Sequence, residues 1–134
     1  ILISSVETKN ELSKIIKLAG KSKLLELIPE KLLNPPKPIA HFLFGTEKKE
    51  LLNSILEDTD LGFTKWAVRE LMNWENQSHL PNLIKIGGSK DKVLPPKGEN
   101  TILIEGGEHF MIVDKAEQLS TLINKEIKMY DSNT

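Results

Sequence analysis

Two short apolar runs constrain this chain more than anything else in it. Leu83 to Ile86 and Thr101 to Ile104 are each four residues long, and each meets a Gly pair at or just beyond its end. A residue able to orient or move a proton follows each run, Asp91 after the first and His109 after the second. Runs of this length with little polar alternation suit strands buried on both faces, the setting of a parallel sheet flanked by helices. The predicted class is therefore α/β. In such sheets the loops after the carboxyl ends of the strands converge on one crevice, so Asp91 and His109 are expected at the same edge.

Composition narrows the function classes. A length of 134 residues is that of one domain with room for a core. With a net charge of -1 and a pI near 6.4, no basic surface is predicted for nucleic acid or an anionic membrane. The absence of Cys removes disulfides and thiolate metal sites and fits a reducing compartment, so a cytoplasmic setting is expected. No apolar run approaches the ~20 residues that span a bilayer, and the amino terminus lacks a signal-peptide pattern.

The rest of the chain reads mainly as helices. Ile1 to Val6 predicts a buried strand. Thr8-Lys9-Asn10-Glu11 has the spacing of a capping box, and Leu12, Ile15, Ile16 and Ala19 repeat at helical period, so a helix is expected to end near Gly20. Ser22 to Ile28 predicts a second short helix stopped by Pro29. Gly20-Lys21-Ser22 matches the close of a phosphate-binding loop, but that motif needs a Gly where Ile15 stands, and an ordinary helix break is the better reading.

Asn34-Pro35-Pro36-Lys37-Pro38 predicts a stiff extended connector, and Ile39 to Phe44 is apolar and aromatic around His41. Thr46 is placed to cap a helix reaching about Glu57. Asp58 to Gly62 reads as a turn, and Phe63 to Glu75 as a helix with Phe63, Ala67, Leu71 and Trp74 along one stripe. His79 beside Leu80-Pro81 reads as surface. After Asp91, Val93 to Asn100 carries Pro95, Pro96 and Gly98 and cannot hold a helix. It must cross between parallel strands in extended form, about 25 Å at ~3.3 Å per residue. Asp114-Lys115-Ala116-Glu117 opens a last helix with Leu119, Leu122, Ile123 and Ile127 as its buried stripe, and Phe110, Met111 and Ile112 are expected to anchor the loop before it.

The order strand, Gly87-Gly88-Ser89-Lys90-Asp91-Lys92-Val93-Leu94-Pro95, strand, Gly106-Gly107-Glu108-His109-Phe110 resembles the last third of an α/β-hydrolase, in which an acid after one strand and a His after the next complete a triad in the order Ser, Asp, His. The resemblance covers residues 80–129 well and the stretch before them loosely. It implies a partial α/β-hydrolase fold of about three parallel strands with an inserted helical cap and a closing helix. Residues 8–78 would be the cap-like insertion and 80–130 the acid and histidine segment.

Asp91 would then accept a hydrogen bond from His109 and His109 would act as base, with Glu105 and Glu108 as nearby rivals for the acid. His41, Phe44, Trp66 and Trp74, with Phe42, would line a pocket for a small-molecule substrate, their ordinary alternative being core packing. No cofactor or metal is implied.

The sequence holds no G-x-S-x-G elbow, and the helix that family members commonly carry between acid and His is replaced by the Pro-rich connector. The chain is therefore expected to be the carboxyl-terminal part of a longer serine-type hydrolase, inactive alone. It would occur with the missing half, a nicked partner or a dimer mate covering the sheet edge. The competing expectation is a non-catalytic α/β interaction module in which Asp91 and His109 are structural.

Overall fold

The computed structural model describes residues 1–21, 24–98 and 100–132. Its three strands, β1 (Leu2–Ile3), β2 (Lys85–Gly88) and β3 (Thr101–Ile104), form one parallel sheet in sequence order. Among the described residues, five α-helices precede β2: α1 (Lys14–Lys21), α2 (Leu24–Leu27), α3 (Lys37–Phe44), α4 (Lys49–Asp58) and α5 (Leu61–Met72). After β3 come a short α6 (Met111–Asp114) and the closing α7 (Ala116–Asp131). The architecture is α/β.

The register pairs Ile86 with Ile102 and Gly88 with Ile104, so these four residues share one face. Ile86 and Ile104 are buried there with Met111 of α6 and Leu119 of α7, and Ile3, Ile84, Leu122 and Ile123 pack around them. The closing helix therefore covers this face with the stripe its spacing predicts. One expected member of the stripe departs from it, Ile127, which is exposed; of the residues expected to anchor the preceding loop, Ile112 is exposed as well, since the α6 turn buries Met111 alone.

Other boundaries moved for local reasons. The first strand stops at Ile3 because Ser4 takes a positive φ of 44° and turns the chain out. The ladder of the second run begins at Ile84, whose carbonyl accepts from Leu2 N, and continues through both glycines. The Thr8–Glu11 capping box does not form: Thr8 gives no side-chain cap, and the Glu11 carboxylate instead accepts from Glu7 N at 3.1 Å. A 3-10 turn at Lys9–Glu11 results, with α1 starting only at Lys14.

In α1, Leu12 just ahead of the helix is buried and Ile16 half-buried, while the side chains of Ile15 and Ala19 lie outside the described residues. So do Ser22 and Lys23, at the start of the second predicted helix. The Pro-rich connector ends sooner than its composition suggests, because Pro38 sits in the first turn of α3, where a missing N–H leaves no bond unmade. Asp60 caps α5 through Phe63 N at 2.6 Å, so that helix starts at Leu61. It stops at Met72, leaving Trp74 beyond its end.

Residues 89–100 carry the chain from β2 back to the start of β3, about the shortest length that can join parallel neighbours. Pro96 lies over Gly87, where a Cβ would stand only 2.7 Å from the proline ring. The glycine lets the extended connector lie flat on the sheet, which is how it dispenses with a helix.

Candidate active site

Asp91 and His109 meet beyond the carboxyl ends of β2 and β3. The acid comes first through a tight turn, in which Asp91 N donates to Gly88 O at 3.1 Å. Its Oδ1 then accepts from Val93 N and Leu94 N, each at 2.9 Å, the local bonding that makes Asp a turn residue. Two backbone donors fix the plane of the carboxylate and leave Oδ2 for one further partner. That partner is His109 Nδ1, at 2.9 Å.

The loop bearing His109 is set by glycine. Gly106 has φ +68°, a conformation that a side chain disfavours, and Gly107 N donates to Ile104 O at 3.0 Å. The neighbouring acid loop is stitched to it by Ser89 N to Ile104 O, Lys90 N to Gly107 O and Gly106 N to Ser89 Oγ, at 3.0, 2.8 and 2.9 Å. Close approach is the reason for the first Gly pair as well. A Cβ on Gly88 would overlap the Gly107 carbonyl, and one on Gly107 would stand 3.1 Å from Gly88 Cα. Gly88 is the strand end against which the histidine loop rests.

The surroundings complete the geometry. The Asp91 side chain is fully buried and that of His109 is 19% exposed. The Phe44 ring lies 5.6 Å from the imidazole at 56°, and Phe44 O accepts from Phe110 N at 3.0 Å, so the end of α3 braces the histidine loop. A carboxylate offers only acceptor atoms. The shared hydrogen therefore sits on Nδ1, and in the neutral ring Nε2 keeps a lone pair, to which the described residues give no hydrogen bond. Such an imidazole can take a proton at Nε2 while its carboxylate stabilises the resulting cation.

The rival acids are placed elsewhere. Glu108 forms an ion pair with Lys92, and Glu105 is exposed. Of the aromatic candidates, Phe44 touches His109, while Phe42 is exposed with the Lys92 ammonium 5.1 Å from its ring centre. Trp66 is half-exposed and stacks on Phe63 at 5.5 Å. Trp74 donates from Nε1 to Glu7 O at 3.2 Å.

His41 bonds Asn53 Oδ1 at 2.8 Å and faces a cleft of about 240 Å³ shared with Gly106, Glu108 and Asp114. A wider groove of about 700 Å³ lies between β3 and α7, and neither Asp91 nor His109 lines it. Among the described residues, no group of three or more His, Asp or Glu side chains is placed to hold a metal ion, and no helix is long and apolar enough to cross a membrane.

Two features escape sequence reasoning. Glu7 is buried and accepts from Leu80 N at 2.7 Å and His79 Nδ1 at 2.9 Å. The Leu80 amide first and then the His79 hydrogen bond hold its carboxyl below the usual value, against the opposing effect of burial. His79, expected as plain surface, is thus half of a second imidazole–carboxylate pair joining segments seventy-two positions apart. No local pattern links residues so distant. Ser4, with its strained φ, has a buried hydroxyl without a partner among the described residues. It faces a small space lined by Leu94, Pro96 and Lys85.

No family model, curated protein or solved structure matches this chain.

Proposed function

We propose that this chain supplies the acid and the histidine of a serine-type hydrolase of the α/β-hydrolase kind, acting on an ester, amide or related small molecule. The observation that carries this reading is the 2.9 Å bond from His109 Nδ1 to Asp91 Oδ2, made between loops at the carboxyl ends of adjacent parallel strands. Acid first and histidine second is the order the family resemblance implies. The nucleophile would come from a further segment lying against one of the two edge strands, β1, beside which Ile1 is exposed, or β3, on which Leu103 is exposed. The helices between β1 and β2 would act as the cap.

In this mechanism a serine O–H gives its proton to His109 Nε2 as its oxygen bonds the substrate carbonyl carbon. The histidine returns the proton to the leaving group as the carbon–leaving-group bond breaks. Water then repeats the sequence: its proton goes to Nε2, its oxygen attacks the acyl carbon, and the serine leaves with the proton. Asp91 stays unprotonated throughout and steadies the imidazolium.

Turnover of a p-nitrophenyl ester by the intact protein tests the reading. His109→Ala should lower kcat by roughly 10³-fold or more. Turnover unchanged by that substitution would favour an α/β interaction module in which the pair only braces two loops.

A further inference from the structure

A second pair runs beside the first. Lys92 follows Asp91 and Glu108 precedes His109, and their side chains form an ion pair, so the same two loops are cross-linked twice by consecutive residues. Glu108 is held from the other side by the helical insertion. Gly45, the left-handed cap of α3 with φ +57°, has no side chain, and the Glu108 carboxylate fills that space; a Cβ on Gly45 would overlap it. Phe42 and Phe44 of the same helix lie against the Lys92 ammonium and the His109 ring, and Phe44 O holds Phe110 N. The two loops thus meet α3 through Lys92, Glu108 and Phe110, each next to the Asp91–His109 pair, and through His109 itself.

We infer that Glu108, bound by Lys92 and seated in the notch at Gly45, is a positioning residue that sets the His109 ring against Asp91 and ties that alignment to the docking of α3. The inference rests on Asp91 and His109 being the acid–base pair of the proposed hydrolase. An ion pair with both partners about a third exposed adds little to global stability, so its effect belongs to local geometry. It does not belong to folding. The helical insertion then becomes a fixed wall of the site at α3, and a ligand or substitution that shifts α3 shifts the base.

Nitrogen-15 NMR of the histidine rings in the full chain tests this, with thermal melting as the control for folding. The parent should show His109 as one tautomer, hydrogen on Nδ1. Glu108→Ala and Gly45→Ala should each speed exchange of that hydrogen with water by about tenfold or mix the tautomers, with Glu108→Ala leaving the melting temperature nearly unchanged. Exchanging the charges, Lys92→Glu with Glu108→Lys, should restore the parent signal. An unchanged His109 spectrum in both single variants, or a loss explained by unfolding in Glu108→Ala and in the milder Glu108→Gln, would overturn the positioning role. Absence of the Nδ1 hydrogen in the parent, or its survival in Asp91→Asn, would instead remove the acid–base pair itself, and the hydrolase reading with it.

Discussion

The Asp91–His109 and Glu7–His79 pairs share a 2.9 Å contact between a carboxylate oxygen and Nδ1, yet their surroundings suit them to different work. His109 is four-fifths buried between a strand end and Phe44, with its carboxylate locked by two backbone amides. His79 lies on a loop and is 71% exposed, while Glu7 is the buried partner. Around Glu7 the contacts join the two ends of the helical insertion: its backbone carbonyl accepts from Trp74 Nε1 and Asn76 Nδ2, and Lys9 N reaches Asn76 O. The lesson is that distance alone does not define a catalytic pair. In the first the histidine is held and largely enclosed, with no hydrogen bond to Nε2 from the described residues; in the second the carboxylate is held and the histidine is exposed.

The sharpest way to break this contrast is to remove each imidazole in turn. His109→Ala should cost the intact protein roughly 10³-fold or more in ester turnover, whereas His79→Ala should leave turnover within about twofold. Equal losses would erase the distinction. Next in size is Gly88→Ala, whose methyl group would press on the Gly107 carbonyl. It should destabilise the chain by about 1–3 kcal/mol in urea unfolding and disturb the His109 ring signals, while those of His79 stay as they are.

Smaller effects sharpen the role of Glu7. Because its folded pKa lies below the ordinary 4.5, the stability it contributes is present above that value and lost as pH falls through the folded pKa. Glu7→Gln should therefore lower the melting temperature at neutral pH, and the gap from the parent should narrow as pH falls below 4.5 and through the folded pKa. A gap independent of pH would show that the carboxylate charge is not what ties the insertion together. Smallest of all is His79→Ala in stability, expected within about 0.5 kcal/mol at neutral pH, since Leu80 N still holds the carboxylate.

The same contrast separates what was legible in the sequence from what was not. Asp91 and His109 follow apolar runs and glycine pairs in short windows, so local pattern points to the strands, to the parallel sheet and to two side chains that the fold brings within hydrogen-bonding distance. The β3 range, the Leu119 stripe and the turn at Asp91 follow from that local chemistry. Glu7 pairs with His79 only because the helical segment between β1 and β2 brings its own ends together, and no periodicity records such a closure. Strand and helix ends erred where one residue overrode its neighbours, as with Ser4 at a positive φ and Pro38 accepted into a first turn. The glycines were found, but the close approach that requires Gly87 and Gly88 depends on Pro96 and Gly107, which only the fold brings near.

Serine-directed fluorophosphonate labelling of the intact protein, with the modified residue located by mass spectrometry, shows whether His109 activates a serine. One serine outside residues 1–134 should be labelled, with labelling abolished in His109→Ala and retained in His79→Ala. Absence of labelling in the parent, or labelling indifferent to the loss of His109, would contradict that role.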